Sequence, residues 1–403
     1  MGQDCEIAII GAGPYGLSLA AHLKARGVDH RIFGKALDTW ASHMPKTMKL
    51  KSEYGASNFS APGNAFTFKT WSVENNVSCA DPIALDDYLG YAHAFRRRHV
   101  PNLEEALVTS LVQAPGGFLL VLDNGERVVA RRVVMATGLS HSAYTPGILA
   151  QLPAELVSHS YDHRDMAQFR GKDVAVVGAG ASAVDVAHQL KEVGANPRII
   201  ARVPEIAYSN APDRSSLLSS LQNPPSAIGR GWSTAFCAGA PLLFYRLPKH
   251  LKERAIFAHL QPAAGWFMRD QLEDRIAMSL GRIVEKAEPK DGRVALTLCT
   301  HEGLGETLHF DHVIAATGYR VDMTRIPFLS TDLRNNIARG TGGSPFVFDN
   351  FETSVDGLYT IGLSAMEMFG PLMGYVAGAE FAAPRLAAHL ERQVMRATVK
   401  RAA

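Results

Sequence analysis

Two glycine-rich turns carry the residues whose types and spacing point most directly to chemistry. Each turn follows a short apolar strand, Glu6–Ile10 or Asp173–Val177, and leads at once into a helix of small residues. In such a turn the first glycine permits a tight bend, the second lets the backbone approach a pyrophosphate, and the third position sets how closely the helix packs on the strand. The helix N-terminus then faces the phosphates. The residues expected to form the two dinucleotide sites are Gly11, Gly13, Pro14, Tyr15 and Gly16, and Gly178, Gly180, Ala181, Ser182 and Ala183.

A second phrase follows each glycine turn further along the chain. Ala136-Thr137-Gly138 and Ala316-Thr317-Gly318 both come directly after an apolar strand. A Thr-Gly turn can bring the backbone close to a bound cofactor, because glycine adds no side chain. Strand, glycine turn, helix and Thr-Gly turn therefore occur twice in one polypeptide. This internal repeat predicts an α/β fold with two Rossmann-like units and two bound dinucleotides.

The composition is that of a globular protein with a sizeable core. The chain has 403 residues, of which 47% are hydrophobic and 20% charged, enough for two or three domains. The net charge of +2 gives no indication of a nucleic-acid partner. The most apolar stretch outside the glycine motifs, 236–247, is too short to cross a bilayer, so we expect no membrane span. An apolar strand is predicted within a few residues of Met1, so we expect no signal peptide.

The cysteines exclude two kinds of chemistry. Cys5, Cys79, Cys237 and Cys299 stand far apart and form no CxxC pair. This spacing argues against a dithiol relay and against a zinc knuckle, so no metal is expected. Four unpaired thiols fit a reducing, cytoplasmic location best.

With these motifs, the chain resembles the flavoproteins with two dinucleotide-binding domains over nearly its whole length. In that family the first glycine motif binds FAD, the second binds NAD(P)H, and the second domain is inserted into the first. The resemblance implies an FAD domain of 1–165 and 320–403 and an NADPH domain of 166–319. It also implies that the chain returns to the flavin near its end, at Gly362 and around Gly370 and Leu372.

Within that family the class B monooxygenases fit best: the flavin-containing monooxygenases, the Baeyer–Villiger enzymes and the amine N-hydroxylases. Disulfide reductases need the missing cysteine pair, single-Rossmann hydroxylases lack a second glycine motif, and the tryptophan-isoleucine-proline signature of halogenases is absent. The resemblance places Trp40, Lys51 and Ser52 over the flavin, with Ser52 the one candidate catalytic side chain, and Val108 beside the adenine. Trp40 could equally be a core residue. The segment around His159 and His163 is either the family's histidine-serine stretch or a hydrogen-bonded linker.

The residue about 20 positions past each glycine motif usually contacts the ribose. After the second motif this position is Arg202, whose guanidinium can bind a 2′-phosphate, and no acidic residue replaces it. Ala183 in place of a third glycine also fits NADPH better than NADH. After the first motif the position is Gly34, where the usual glutamate is missing. Lys35 or a bridging water could take its place, whereas Asp38 is too far along for a certain substitute.

The resemblance implies that NADPH reduces FAD, that O2 forms a C4a-(hydro)peroxyflavin, and that a small molecule is oxygenated at N, S or C. A helical, lid-like insertion around 205–275 is rich in aromatic residues and predicts a fairly apolar substrate. Two alternatives remain: an NADPH-dependent flavin oxidoreductase or oxidase without substrate oxygenation, and a non-catalytic dinucleotide-binding sensor. The sequence leaves the substrate and the oligomeric state open, a homodimer included.

Overall fold

The computed structural model describes residues 4–211, 221–272, 275–300 and 302–402. Two parts of the predicted insertion, 212–220 and 273–274, lie outside the described residues. None of the helices in the described ranges combines the length and the apolar composition that crossing a membrane requires.

The described strands form four sheets. Their bounds are β1 Asp4–Ile10, β2 Arg31–Phe33, β3 Val108–Ala114, β4 Gly117–Leu122, β5 Arg127–Met135, β6 Val157–His159, β7 Asp173–Val177, β8 Asn196–Ala201, β9 Pro225–Ser226, β10 Gly229–Arg230, β11 Ala277–Leu280, β12 Ile283–Lys290, β13 Arg293–Cys299, β14 Gly305–Phe310, β15 His312–Ala315 and β16 Leu358–Thr360.

Helices cover the two larger sheets and build the insertion. The described α-helices are α1 Pro14–Ala25, α2 Phe68–Glu74, α3 Leu85–His99, α4 Gly147–Ala150, α5 Ala181–Glu192, α6 Trp232–Gly239, α7 Pro241–Tyr245, α8 Lys249–His259, α9 Arg269–Leu272, α10 Thr331–Asn336, α11 Met366–Phe369 and α12 Gly378–Ala402.

The first sheet is built from both ends of the chain. Its order is β2-β1-β5-β4-β3, and β16 pairs in parallel with the end of β5. Strand β1 is buried on both faces, as its unbroken apolar run predicts for a parallel strand. Helix α12 packs on α1 over this sheet, so the C-terminal segment covers the first glycine turn. Residues that are distant in sequence therefore share one core.

The second sheet is all parallel, in the order β11-β8-β7-β15-β6. An antiparallel meander, β12-β13-β14, packs against it. The insertion between β8 and β11 is helical, as expected, and joins the two units. Phe244 and Cys237 are buried in the core of the first unit, whereas Met268 and Leu272 are buried in the core of the second.

These sheets confirm the predicted fold class: an α/β protein with two Rossmann-like units, the second inserted into the first, and a small helical insertion. The chain enters the second sheet already at β6, because β6 pairs with β15.

The half-buried hydroxyl of Ser158 connects two buried histidines where β6 meets β15. His163 Nδ1 accepts from the Gln168 amide at 3.0 Å, so its Nε2–H donates to Ser158 Oγ at 2.6 Å. His312 Nδ1–H donates to the Glu155 carbonyl at 3.1 Å, which leaves its Nε2 to accept from Ser158 Oγ at 2.7 Å. Burial lowers the pKa of His312 to about 4, so both rings stay neutral in the fold. These local hydrogen bonds are the ones that the linker interpretation expects, and the resemblance to the histidine-serine stretch stays a prediction.

We predict that Ser158→Ala destabilises the protein by about 1–3 kcal/mol, because both buried imidazoles lose a partner. The free energy of unfolding in urea would measure the loss. Thr398→Ala, which removes an exposed hydroxyl from α12, is the control and should change it by less than about 0.5 kcal/mol. Equal effects of the two substitutions would contradict the network.

Candidate functional site

The first glycine turn packs against the carbonyl group of Ala136, the residue that follows β5. Gly11 has φ +116°, and a Cβ there would overlap the carbonyl oxygen of Ala136. Ala136 N–H in turn donates to the carbonyl of Ile10 at 2.8 Å. Gly16 lies over the turn so closely that a Cβ would overlap the carbonyl of Gly11. Glycine is required at both positions by close backbone approach.

The second turn repeats this contact. Gly178 has φ +150°, and a Cβ there would overlap the carbonyl oxygen of Ala316. Ala316 N–H donates to the carbonyl of Val177 at 2.9 Å. The repeated Ala-Thr-Gly phrase is thus the partner of the repeated glycine turn. Of the three glycine positions, only the third differs between the two turns: the counterpart of Gly16 is Ala183, which is fully buried.

The middle glycine of each turn marks the cradle for a phosphate. Gly13 caps α1 and Gly180 caps α5, and neither helix has a side chain that caps its N-terminal amides. A Cβ on Gly13 would meet no protein atom within 4 Å, so the space beside it is open. A Cβ on Gly180 would lie 3.7 Å from Pro262 of the insertion. Uncapped amides are present at both turns and fit a bound pyrophosphate, with open space beside Gly13 and Pro262 in van der Waals range of Gly180.

Tyr15 fastens the C-terminal segment to the first turn. Its hydroxyl donates to the carbonyls of Tyr375 at 2.8 Å and Met373 at 3.1 Å. Gly362 and Gly378 have no side chains where the Tyr15 ring and hydroxyl pack against them. The returning segment therefore closes one wall of the site.

A single cavity of about 750 Å³ extends from the first turn to the start of α5. Residues of both units line this cavity. The N-terminal end of α5 borders it, and so does the segment from Trp40 to Ser52 that the sequence analysis expected over the flavin. The predicted site residues that line it are Gly11, Gly13, Pro14, Tyr15, Trp40, Lys51, Ser52, Val108, Ala136, Thr137, Gly138, Ala181, Ser182 and Gly362.

The remaining predicted residues lie outside this lining, for separate reasons. Gly16 and Ala183 are buried between helix and strand. Thr317 donates to the carbonyl of Tyr144, and Gly318 accepts from His159, so that turn binds a linker. The other residues outside the lining are Gly178, Gly180, Arg202, Gly370 and Leu372.

Gly370 and Leu372 pack in the protein core. Gly370 adopts φ +91°, and a Cβ there would lie 3.1 Å from the ring of Phe244 in the insertion. Leu372 is buried in the same cluster. In this segment, Met373 and Gly374 reach the cavity instead.

The two ribose positions differ. Gly34 has φ +133°, and a Cβ there would lie 3.2 Å from the backbone nitrogen of Ala12, so a larger residue would strain the turn. Lys35 and Asp38 both line the cavity. Arg202 follows β8 directly, and it is exposed with no ion pair or hydrogen bond to any described residue.

Sequence reasoning missed Asp185, which lines the cavity from the first turns of α5. Burial raises its pKa to about 7, although the ammonium of Lys51 acts in the opposite direction. Lys51 belongs to the first unit and lines the cavity; its ammonium donates to the carbonyl of Ala263 at 3.3 Å, and burial lowers its pKa. The signal in the sequence was one acid within the apolar run Ala183–Ala187 of a dinucleotide-binding helix.

Comparison with known proteins agrees with this geometry. The family model described as pyridine nucleotide-disulphide oxidoreductase matches residues 8–224, which is more than half of the chain. The chain belongs to this family. It is a flavin-dependent oxidoreductase with two dinucleotide-binding units, and the expected cofactors, FAD and NADPH, fit that family. Its four cysteines form no disulfide in this structure.

Individual relatives include monooxygenases. The indole-3-pyruvate monooxygenase of Oryza sativa subsp. japonica is 27% identical over 391 residues, covering 90% of this chain and 87% of the relative. The FAD-dependent urate hydroxylase of Xanthomonas campestris pv. campestris is 29% identical over 204 residues, 46% of this chain and 42% of the relative. The solved ornithine N-hydroxylase of Kutzneria sp. 744 has a TM-score of 0.77 at 17% identity, covering 97% of this chain and 100% of that chain. At that identity the structural likeness shows the fold alone.

We predict that Gly13→Ala leaves the fold intact and weakens FAD binding by at least about tenfold, because the added methyl group projects into the cradle. Flavin titration monitored by fluorescence would measure the affinity, and circular dichroism would check the fold. Gly11→Ala is the matched comparison: its Cβ overlaps Ala136, so we expect a loss of about 3 kcal/mol or more in stability. Wild-type FAD affinity in Gly13→Ala would contradict the assignment.

Proposed function

We propose that the protein is an FAD-dependent, NADPH-consuming monooxygenase that oxygenates a small molecule at N, S or C. One observation carries this proposal: the N-terminal ends of α1 and α5 open into one cavity, through Gly13 and Pro14 on one side and Ala181 and Ser182 on the other. Two dinucleotides held at these turns would share that space. The monooxygenase relatives, one of them matched over most of its length, support the same activity.

The protein's own residues would hold the cofactors and exclude water. Bound FAD would accept a hydride from NADPH and activate O2, which is chemistry that the cofactor supplies. Trp40, Met44 and Met48 line the cavity over the proposed flavin position, where bulky apolar groups keep water out. Trp40 is held by Tyr88, with ring centroids 5.0 Å apart. Ser52 also lines the cavity and has no hydrogen-bond partner among the described residues, so its hydroxyl is free for the cofactor.

The assignment of one cofactor to each unit is also part of this proposal. We assign FAD to residues 1–165 and 320–403 and NADPH to 166–319. The pairing of β6 with β15 favours moving the first junction to a point just before Val157. The return of β16 to β5 supports the second segment of the FAD domain.

The aromatic residues of the insertion predict a fairly apolar substrate. The aromatic residues behind that expectation do not line the cofactor cavity: Trp232 is 69% exposed and Phe236 39% exposed. An apolar substrate remains a prediction. Its support is the exposed apolar surface of the insertion, which includes Trp232 and Phe236.

We predict that a true substrate couples NADPH oxidation to its own oxygenation, with one product molecule for each NADPH and little hydrogen peroxide. Panels of amines, sulfides and ketones, scored by NADPH absorbance, peroxide assay and mass spectrometry, would test this. Stoichiometric peroxide with every compound would instead identify an NADPH oxidase.

Arg202 should determine the choice of nicotinamide. Arg202→Ala would lose a charge-assisted contact to the 2′-phosphate, so we expect KM for NADPH to rise by about tenfold or more. KM for NADH, which has no such phosphate, should stay the same and serves as the internal control. An equal rise for both cofactors would contradict this role.

A further inference from the structure

A second, smaller cavity of about 350 Å³ adjoins the cofactor cavity along one face of α5. We call it the polar chamber. Asp185, Met48 and Lys49 line both spaces, so they form the wall between them. The other residues that line the polar chamber are Thr47, His188, Gln189, Glu192, Phe267, Met268, Gln271 and Arg275.

Two polar residues of α5 that line the polar chamber, His188 and Gln189, each have a buried atom without a partner among the described residues. His188 Nδ1 and Gln189 Nε2 are both buried without a partner, and Gln189 is only 6% exposed. With Asp185 and Glu192, these residues recur along one face of α5 at helical spacing. The polar side chains of Asp185 and Glu192 also line this space, and its volume has room for several water molecules.

Asp185 is the carboxyl group that connects the two spaces. Asp38, the other carboxylate on the described cofactor-cavity lining, does not reach the polar chamber, and its side chain is 44% exposed beside His43. Asp185 forms no hydrogen bond or ion pair with any described residue.

The charged groups around Asp185 come from three elements. Lys49 and Lys51 lie on the first unit, His188 and Glu192 on α5 itself, and Arg275 after the insertion. Arg275 is occupied, because it donates to Glu192 at 3.0 Å and to Gln271 at 2.8 Å. Burial lowers the pKa of His188, so this ring is neutral near pH 7. Lys51 alone counteracts the effect of burial on Asp185, which leaves the carboxyl able to exchange a proton near neutral pH.

The proposed reaction needs such a group. Each turnover converts NADPH, H⁺, O2 and substrate into NADP⁺, oxygenated substrate and water. Two electrons come from the hydride and two from the substrate; one oxygen atom enters the substrate, and the other leaves as water. One proton must therefore come from solvent into a cavity that bound cofactors would fill.

We propose that Asp185 transfers this proton from the polar chamber to the cofactor cavity. The carboxyl group donates its proton on the cavity side, where the proton ends on the oxygen atom that leaves as water. Water in the polar chamber then reprotonates the carboxylate. This role rests on the proposed function, but an oxidase that reduces O2 to hydrogen peroxide would consume a solvent proton too.

The first test does not depend on activity. Because the folded pKa of Asp185 is raised above its unfolded value, the native state binds more protons from about pH 4 to about pH 7. This contribution to stability is present at low pH and is lost as the pH rises through that window. We expect the melting temperature of Asp185→Asn, relative to wild type, to rise by about 2 °C or more between roughly pH 5 and pH 8. A difference that does not change with pH would overturn the proposal.

The second test follows proton delivery in the enzyme loaded with FAD. After anaerobic reduction by NADPH, reoxidation by O2 would be followed by stopped-flow absorbance across the pH range. The wild-type rate should fall above about pH 7, and Asp185→Asn should be slower by about 10²-fold with no such pH dependence. Asp185→Glu should restore the pH dependence, and Asp270→Asn, which removes an exposed carboxylate outside the chamber, should match wild type.

A wild-type pH profile in Asp185→Asn would refute proton transfer by this residue. The ratio of oxygenated product to peroxide is a separate measurement, made with a coupling substrate from the amine, sulfide and ketone panel present during reoxidation. If only peroxide forms but the profile depends on Asp185, then the proposed function fails while the proton route stands.

Discussion

The whole structure depends on two places where a side chain is absent. At Gly11 and at Gly178 the backbone of a strand end lies directly against the carbonyl of an alanine from a strand far away in sequence. These contacts bring Ala136 and Ala316 to their turns and align the ends of neighbouring parallel strands. The N-termini of α1 and α5 then each lie at the carboxyl edge of their own sheet, which is where open α/β sheets bind ligands.

Several other features follow from this constraint. Once α1 is fixed, Tyr15 reaches the C-terminal segment and ties it down at Tyr375. Once α5 is fixed, Ser182 and Asp185 face Lys51 and Ser52 of the first unit across the cavity. The insertion packs on both cores, through Phe244 on one side and Met268 on the other, and so holds the two units together. The two glycine turns thereby place residues of both units around one shared cavity.

Much of this could be predicted from the sequence, because glycine spacing and strand patterns are local signals. The repeated Ala-Thr-Gly phrase was expected near a cofactor, and Ala136, Thr137 and Gly138 do line the cavity. Thr317 and Gly318 do not, because tertiary contacts with Tyr144 and His159 bind them elsewhere. The contact of Gly370 with Phe244 could not be predicted, because it depends on how the insertion docks, which no local pattern specifies. Asp185 was missed for the same reason: its significance comes from a second cavity that exists only in the folded chain.

The most direct measurement is the flavin content of the purified protein and its response to NADPH. The account predicts one FAD per chain, with a visible spectrum that bleaches on anaerobic addition of one equivalent of NADPH. A colourless protein that takes up no FAD when it is offered, or a bound flavin that NADPH cannot reduce, would contradict the central claim that both turns serve one cavity.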